Sequence, residues 1–126
     1  LFQATMPPQQ AACSLEALKL IQKNPHLQEK LWENTRLFSN ELKTLGFDIG
    51  QTQSPIVPVY VSNESALAQL CKALYEGGIF TNWISYPAVP KGKGRLRFIV
   101  SSLHTKTDII HTRDCLKKAG KKFSII

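Results

Sequence analysis

Apolar residues recur at helical spacing in the first part of the chain and predict two consecutive helices. The stripe of the first helix consists of Ala11, Leu15, Leu18 and Ile21. This helix is expected to begin near Pro8, a residue type favoured in a first helical turn. Asn24 and Pro25 interrupt the pattern, because a proline disfavours helical geometry in the residue before it. The second helix is then expected to end at Gly46, as helices often do at glycine.

Three later segments have the alternation or the β-branched content of strands: residues 55–61, 79–84 and 95–100. Pro58 favours an edge position for the first strand, because proline cannot donate a hydrogen bond to a neighbouring strand. Ser62 or Asn63 can cap a helix between the first two strands, and Thr105 can cap a last helix. The order predicts an α+β fold with a small, mostly antiparallel sheet of about three strands covered by helices.

Length and composition indicate one folded unit. A chain of 126 residues with 43% hydrophobic residues can build one packed core. No segment reaches the roughly 20 apolar residues that cross a bilayer, so no membrane span is expected. The three cysteines are odd in number and far apart, which favours buried thiols over disulfides or a zinc site. We therefore expect a cytoplasmic protein. The chain starts at Leu1 and has no signal-peptide pattern, so we interpret it as part of a longer protein.

The net charge of +7 leaves two interpretations open. A solvated helix face and tail explains the lysines near the end, and contact with the phosphates of a nucleic acid or a coenzyme is the alternative. No dinucleotide-binding, phosphate-loop or zinc-protease motif is present, so local motifs predict neither a metal nor a cofactor site. A stand-alone basic binding module stays the competing hypothesis. It is disfavoured because the phenylalanines and tyrosines mostly fall at core positions, and no nucleic-acid partner is expected.

The segment 83–105 contains the most distinctive pattern in the chain: WISYPAVP, the turn KGKG, the strand RLRF and the helix start SSLHT. Alternation places Arg95 and Arg97 on the strand face opposite the core. The run resembles the carboxy-terminal signature of the α-oxoamine synthases, which has a YP-x-VP loop, a basic-glycine turn, an R-L-R strand and an S-x-x-H-T cap. Five further segments agree in order and spacing: residues 2–8, 31–36, 46–48, 54–59 and 76–80.

Members of that family join an amino acid to the acyl group of a coenzyme A thioester, usually with loss of carbon dioxide, on pyridoxal phosphate bound as a Schiff base. The resemblance implies that residues 1–126 are the C-terminal small domain of such a fold-type-I enzyme, with residues 1–24 as a helix that links it to a large domain. It also implies a homodimer and a cofactor lysine upstream of Leu1. The chain alone is then expected to hold no catalytic or cofactor-binding residue, to bind no pyridoxal phosphate and to be inactive.

The resemblance also assigns candidate substrate-binding residues. Arg97 matches the residue that holds the amino-acid carboxylate, and a guanidinium can give a carboxylate two parallel hydrogen bonds. An ion pair between this arginine and an acid is the structural alternative. The pocket loop of the family matches Ser85, Tyr86, Pro87, Ala88 and Val89. Trp83 and Ile84 belong either to the core or to the pocket, and Arg95 is interpreted as a surface or interface ion pair.

One departure from the family pattern bears on the substrate. Biotin-pathway members usually carry Arg-Pro-Pro where this chain has Ser85, Tyr86 and Pro87. Without that arginine, an acyl chain that ends in a carboxylate lacks a charge partner at this position. Tyr86 and Pro87 resemble the glycine C-acetyltransferase and aminolevulinate synthase branches, and the Lys91 turn and the tail 120–122 favour the former. The sequence therefore favours glycine C-acetyltransferase, with acetyl-CoA and glycine as substrates. 8-Amino-7-oxononanoate synthase and serine palmitoyltransferase stay as alternatives.

Overall fold

The computed structural model describes residues 5–126, and its helices and strands follow the predicted order. They are α1 Pro8–Lys23, α2 Pro25–Leu45, β1 Ile56–Tyr60, α3 Glu64–Glu76, β2 Asn82–Ile84, β3 Arg95–Ile99 and α4 Lys106–Lys122. The residues 1–4, with the first part of the 2–8 motif, lie outside the described part of the chain. Four helices and one antiparallel sheet of three strands confirm the α+β prediction.

The sheet has the strand order β1-β3-β2, so the arginine-bearing strand β3 lies in its centre. Both neighbours pair with β3 in antiparallel orientation. Pro58 lies on the edge strand β1, as predicted, directly opposite Arg97. Strand β2 is three residues shorter than the 79–84 prediction, and the hydroxyl of Thr81 donates a hydrogen bond of 3.1 Å to the carbonyl oxygen of Arg97. This hydrogen bond uses the carbonyl oxygen that would accept a backbone hydrogen bond if β2 began earlier in the chain.

One face of the sheet packs against helices and forms the core. Val57, Val59 and Leu96 are fully buried on this face, together with Phe98, whose ring meets that of Phe38 on α2 edge-on at 5.2 Å. Helices α3 and α4 complete the cover with the buried residues Leu67, Leu70, Leu74, Ile109 and Leu116. A T-shaped aromatic pair and close-packed leucines of this kind stabilise a small domain mainly by removing apolar surface from water.

The opposite face of the sheet is open within the described residues. Ile56 is 42% exposed and Ile99 is 59% exposed, although both lie on strands. Arg95 and Arg97 are on this face, because they alternate along β3 with the buried Leu96 and Phe98. The sheet therefore presents two guanidinium groups on the side away from the helical layer.

Local signals at the helix ends agree with the predictions. Gly46 ends α2 with a φ of 94°, in the left-handed region that favours glycine. Of the two candidate caps for α3, Asn63 is the one used, since its Oδ1 accepts a hydrogen bond of 3.0 Å from the backbone N–H of Ala66. Thr105 caps α4, and Asp108 completes a reciprocal capping box.

Two expectations need correction, one on the cysteines and one on the aromatic residues. Helix α1 forms as predicted, but none of its residues is buried, because within residues 5–126 only α2 packs beside it. Cys13 lies on this helix and is exposed, so the expectation of buried thiols is wrong for it. Cys71 and Cys115 are half-buried, and burial raises the pKa of the Cys71 thiol. Two aromatic residues, Tyr75 and Phe80, are exposed, although the phenylalanines and tyrosines were expected mostly at core positions.

None of the helices between residues 5 and 126 is both long and apolar enough to cross a membrane.

Candidate substrate-binding cleft

An open cleft of about 620 Å³ lies over the exposed face of the sheet. Its floor consists of side chains from all three strands, and its walls are the loop after α2 and the loop after β2. The floor residues are Ile56, Pro58, Tyr60, Ile84, Arg95 and Arg97, and the wall residues are Gln51, Thr52, Ser54, Ala88 and Val89. No aspartate, glutamate or lysine is among these residues, so both charged groups that line the cleft are guanidinium groups.

Arg97 lies at the centre of the floor, between Pro58 on β1 and Asn82 on β2. Its Nε atom is buried and has no hydrogen-bond partner in the described part of the chain. No carboxylate among residues 5–126 comes within ion-pair distance of its guanidinium. The alternative interpretation of Arg97, an arginine paired with an acid, is therefore not borne out within these residues. A buried donor on a charged group without an acceptor is costly unless a ligand or another part of the protein supplies one.

Arg95 also lines the cleft, although its sequence position predicted a surface or interface ion pair and no substrate role. Its Nη1 donates a hydrogen bond of 3.1 Å to Oη of Tyr60, and its guanidinium carbon lies 5.0 Å from the centre of the Tyr60 ring. The ion pair predicted for Arg95 does not form among the described residues. Alternation along β3 had already placed both arginines on one face, but the role of Tyr60 was missed because it depends on the pairing of β1 with β3.

The predicted pocket loop is split by the structure. Backbone N–H groups of Ala88 and Val89 donate hydrogen bonds of 3.0 Å and 3.3 Å to the carbonyl oxygen of Ser85, which closes a turn. This turn directs Ala88 and Val89 to the cleft. Ser85, Tyr86 and Pro87 are not among the cleft-lining residues. The 57% exposed ring of Tyr86 instead has the Lys91 ammonium at 5.3 Å from its centre.

The two residues before the loop separate in the same way. Ile84 pairs with Arg95 and lines the cleft. Trp83 pairs with Leu96, which places it on the helix-covered side, but it is still 48% exposed. The open question between core and pocket is thus answered in favour of the pocket for Ile84. Trp83 lies on the core side at the edge of the sheet.

The donors in this cleft suit carboxylates. Guanidinium, hydroxyl and amide groups line it, and the lysines of the neighbouring turn, Lys91 and Lys93, are exposed and outside it. The residues therefore fit the carboxylate of a substrate, and they offer no amine for covalent attachment of an aldehyde cofactor. His104 and His111 make local contacts, with the Ser101 N–H and the Gly77 carbonyl. In the part of the chain that the structure describes, no group of three or more His, Cys, Asp or Glu side chains could hold a metal ion.

Known proteins resemble the whole chain. Residues 1–113 match the sequence profile of aminotransferase class I and II. The 8-amino-7-oxononanoate synthases of Fervidobacterium nodosum and Thermosipho melanesiensis are 43% and 40% identical to it, over 100% of this chain and 32% of each relative. A serine palmitoyltransferase from S. paucimobilis, solved with pyridoxal phosphate and myriocin bound, has a TM-score of 0.91 at 29% identity and covers 100% of this chain and 32% of that one. The chain thus spans about a third of the length of these relatives.

Proposed function

Because this chain belongs to the aminotransferase class I and II family, with α-oxoamine synthases as its relatives, we propose that it is the C-terminal small domain of a pyridoxal-phosphate-dependent acyltransferase. The family resemblance drawn from the sequence is confirmed, and so is the pyridoxal phosphate dependence of the family. The relatives are about three times as long as this chain. In this proposal the remaining two thirds of the enzyme supply the cofactor lysine.

Among the branches of the family, we favour 8-amino-7-oxononanoate synthase. The relatives at 40% to 43% identity carry this name, and it was an alternative in the sequence analysis. The preference for glycine C-acetyltransferase depended on a few positions, above all Ser85, which lies outside the cleft-lining set. A missing cation at that position therefore carries less weight than similarity over the whole chain.

The name of this product indicates the substrates. 8-Amino-7-oxononanoate is a nine-carbon acid with a ketone at carbon 7 and an amine at carbon 8. Loss of carbon dioxide from alanine leaves a two-carbon amino unit, which accounts for carbons 8 and 9. Carbons 1 to 7 then come from an acyl group that forms the ketone at one end and ends in a carboxylate at the other. The proposed substrates are alanine and pimeloyl-CoA.

The observation that carries the proposal is the position of Arg97, a half-buried guanidinium on the central strand. It faces an open cleft and has no acid partner within residues 5–126. We propose that it holds the α-carboxylate of the amino acid in a bidentate contact. Pyridoxal phosphate, when bound, supplies the electron sink for reaction at the α-carbon. By fixing the carboxylate, Arg97 orients the bonds of that carbon, and Ala88 and Val89 form a wall beside it.

Three further parts of the proposal concern the whole protein. The enzyme is a cytoplasmic homodimer, and the 126-residue chain alone is inactive because it has no cleft lysine. A basic binding module is a weaker second candidate. Its support is the exposed lysines of α4, Lys117, Lys118, Lys121 and Lys122, whereas the similarity to biosynthetic enzymes covers the whole chain.

The test uses the full gene product that contains this chain, loaded with pyridoxal phosphate. Product formation is measured by mass spectrometry for three substrate pairs: alanine with pimeloyl-CoA, glycine with acetyl-CoA and serine with palmitoyl-CoA. We expect kcat/KM to be highest for alanine with pimeloyl-CoA. The expected ratio to the other pairs is tenfold or more, which corresponds to about 1.4 kcal/mol in activation free energy. A preference for either other pair would move the enzyme to that branch, and no turnover with any pair would refute the acyltransferase proposal.

A further inference from the structure

The cleft holds more positive charge than one amino-acid carboxylate requires. Arg95 and Arg97 are two residues apart on the same face of β3, and the Nε atoms of both are buried without a hydrogen-bond partner within residues 5–126. No acid lines the cleft. Since a buried charged donor needs an acceptor, each of the two guanidinium groups can take an anionic partner of its own. The Cα atoms of residues spaced in this way along a strand are about 6.6 Å apart.

The two arginines differ in how they are held. Tyr60 is the cross-strand neighbour of Arg95, accepts a hydrogen bond of 3.1 Å from Nη1, and has its ring beneath the guanidinium. Its own position is fixed in turn, because its backbone N–H donates to the Asp48 carbonyl at 2.8 Å and its ring lies against the backbone of Gly50. Since its oxygen accepts the hydrogen bond from Arg95, the phenol O–H is left to donate elsewhere. Arg95 and Tyr60 together therefore present a guanidinium and a hydroxyl to one carboxylate.

We infer that Arg95, oriented by Tyr60, is the second carboxylate-binding residue of the cleft and selects acyl donors whose acyl chain ends in a carboxylate. This inference rests on the proposed function, which assigns the first carboxylate to Arg97. The seven-carbon acyl unit of that reaction is long enough to leave the reacting carbon near Arg97 and reach Arg95 with its far end. A charge partner for such an acyl chain is therefore available in the cleft floor at Arg95, although Ser85 supplies none.

The experiment compares two acyl donors of equal length on the holoenzyme. Pimeloyl-CoA ends in a carboxylate, and heptanoyl-CoA ends in a methyl group. For Arg95→Met we expect kcat/KM with pimeloyl-CoA to fall about tenfold to a hundredfold, while kcat/KM with heptanoyl-CoA and KM for alanine change less than about twofold. Tyr60→Phe keeps the ring and removes the hydroxyl, so a smaller loss confined to pimeloyl-CoA is expected. Arg36→Met, at an exposed position of α2, is the matched control that leaves both donors unchanged.

The outcomes separate this inference from the proposed function. If the unmodified enzyme does not prefer pimeloyl-CoA over heptanoyl-CoA, both the branch assignment and the role of Arg95 are wrong. If it does prefer pimeloyl-CoA but Arg95→Met slows both donors equally, or raises KM for alanine, the branch stands and the role of Arg95 is refuted. Should Arg95→Met fail to fold, the ratio of the two donors in Tyr60→Phe decides, and an unchanged ratio overturns the inference.

Discussion

The side-chain amide of Asn34 on α2 donates a hydrogen bond of 2.9 Å to the backbone carbonyl of Ser101, 67 residues further along the chain. The same Nδ2 atom donates to the carbonyl of His104 at 2.8 Å, and Asn34 is only 2% exposed. The contact joins two segments, 31–36 and 101–105, that carried the family resemblance separately. The two hydrogen bonds hold the turn after β3 against α2. They therefore fix the C-terminal end of β3, the strand that carries Arg95 and Arg97.

We therefore predict that Asn34→Ala lowers the free energy of unfolding by about 1–3 kcal/mol, because the buried Asn34 amide and its hydrogen bonds to the carbonyls of Ser101 and His104 are lost together. Asn40→Ala is the control, since Asn40 lies on the exposed side of the same helix and should change stability by less than about 0.5 kcal/mol. Urea denaturation of both variants gives the comparison. Equal effects at the two positions would mean that the Asn34 contact does not support the fold.

Much of this fold could be predicted from local patterns. The caps at Asn63 and Thr105 and the edge position of Pro58 follow from properties of single residues and their immediate neighbours. The contacts of Asn34 and Tyr60 could not be predicted, because they depend on which elements pack together. Periodicity does not encode the strand order β1-β3-β2. The strand face of Arg95 was predicted correctly, whereas its contact with Tyr60 was missed for that reason.

A second prediction concerns substrate binding by Arg97. In the complete enzyme, Arg97→Ala removes a charge-assisted contact of about 1.5–3 kcal/mol, so kcat/KM should fall about tenfold to a hundredfold. Bound pyridoxal phosphate, measured by its absorbance, should not change. Arg97→Lys should recover little, because an ammonium cannot make the bidentate contact. Arg36→Ala, at an exposed site on α2, is the control. Normal turnover of the amino acid by both Arg97 variants would show that this arginine does not hold the carboxylate.

The third prediction is that the 126-residue chain alone does not form a specific Schiff base with pyridoxal phosphate. No lysine lines its cleft, and Lys91 and Lys93 lie in an exposed turn. Incubation with pyridoxal phosphate, reduction with borohydride and peptide mapping should give only weak labelling spread over exposed lysines. Stoichiometric labelling of a single lysine would contradict both this prediction and the proposed location of the cofactor lysine.

The fourth prediction concerns exposed apolar surface. If the chain is part of a longer protein, it should expose an apolar patch drawn from Leu1, Phe2, Trp83, Ile84 and Tyr86. Trp83 is 48% and Tyr86 57% exposed, and Ile84 is half-buried. Leu1 and Phe2 lie outside the described residues. Helix α1 adds a second apolar surface with the half-exposed residues Leu15, Leu18 and Ile21. Because patches of this kind drive association, sedimentation velocity should show the isolated chain self-associating as its concentration rises.

Two variants of α1 test this association. Leu18→Glu should reduce it by placing a charge in the apolar stripe. Gln10→Glu, an exposed polar position near the start of the same helix, should not. A chain that stays monomeric at high concentration would show that these surfaces do not need a partner.

The last prediction follows from the capping box of α4. Hydrogen bonds from the backbone N–H and the hydroxyl of Thr105, at 2.8 Å and 2.7 Å, hold the pKa of Asp108 below its usual value, and His104 and His111 act in the same direction. A carboxyl group whose pKa is lower in the folded state contributes stability above its unfolded pKa and loses it as the pH falls through the folded pKa. Asp108→Asn should therefore be less stable than the unmodified chain at pH 7, and the two should converge as the pH falls through that window. Thr105→Ala removes one of the two donors and the N-cap, and should cost about 1 kcal/mol at neutral pH. Urea midpoints measured between pH 7 and pH 3 test the prediction, and a constant difference between Asp108→Asn and the unmodified chain over this range would show that the carboxylate charge does not contribute to capping.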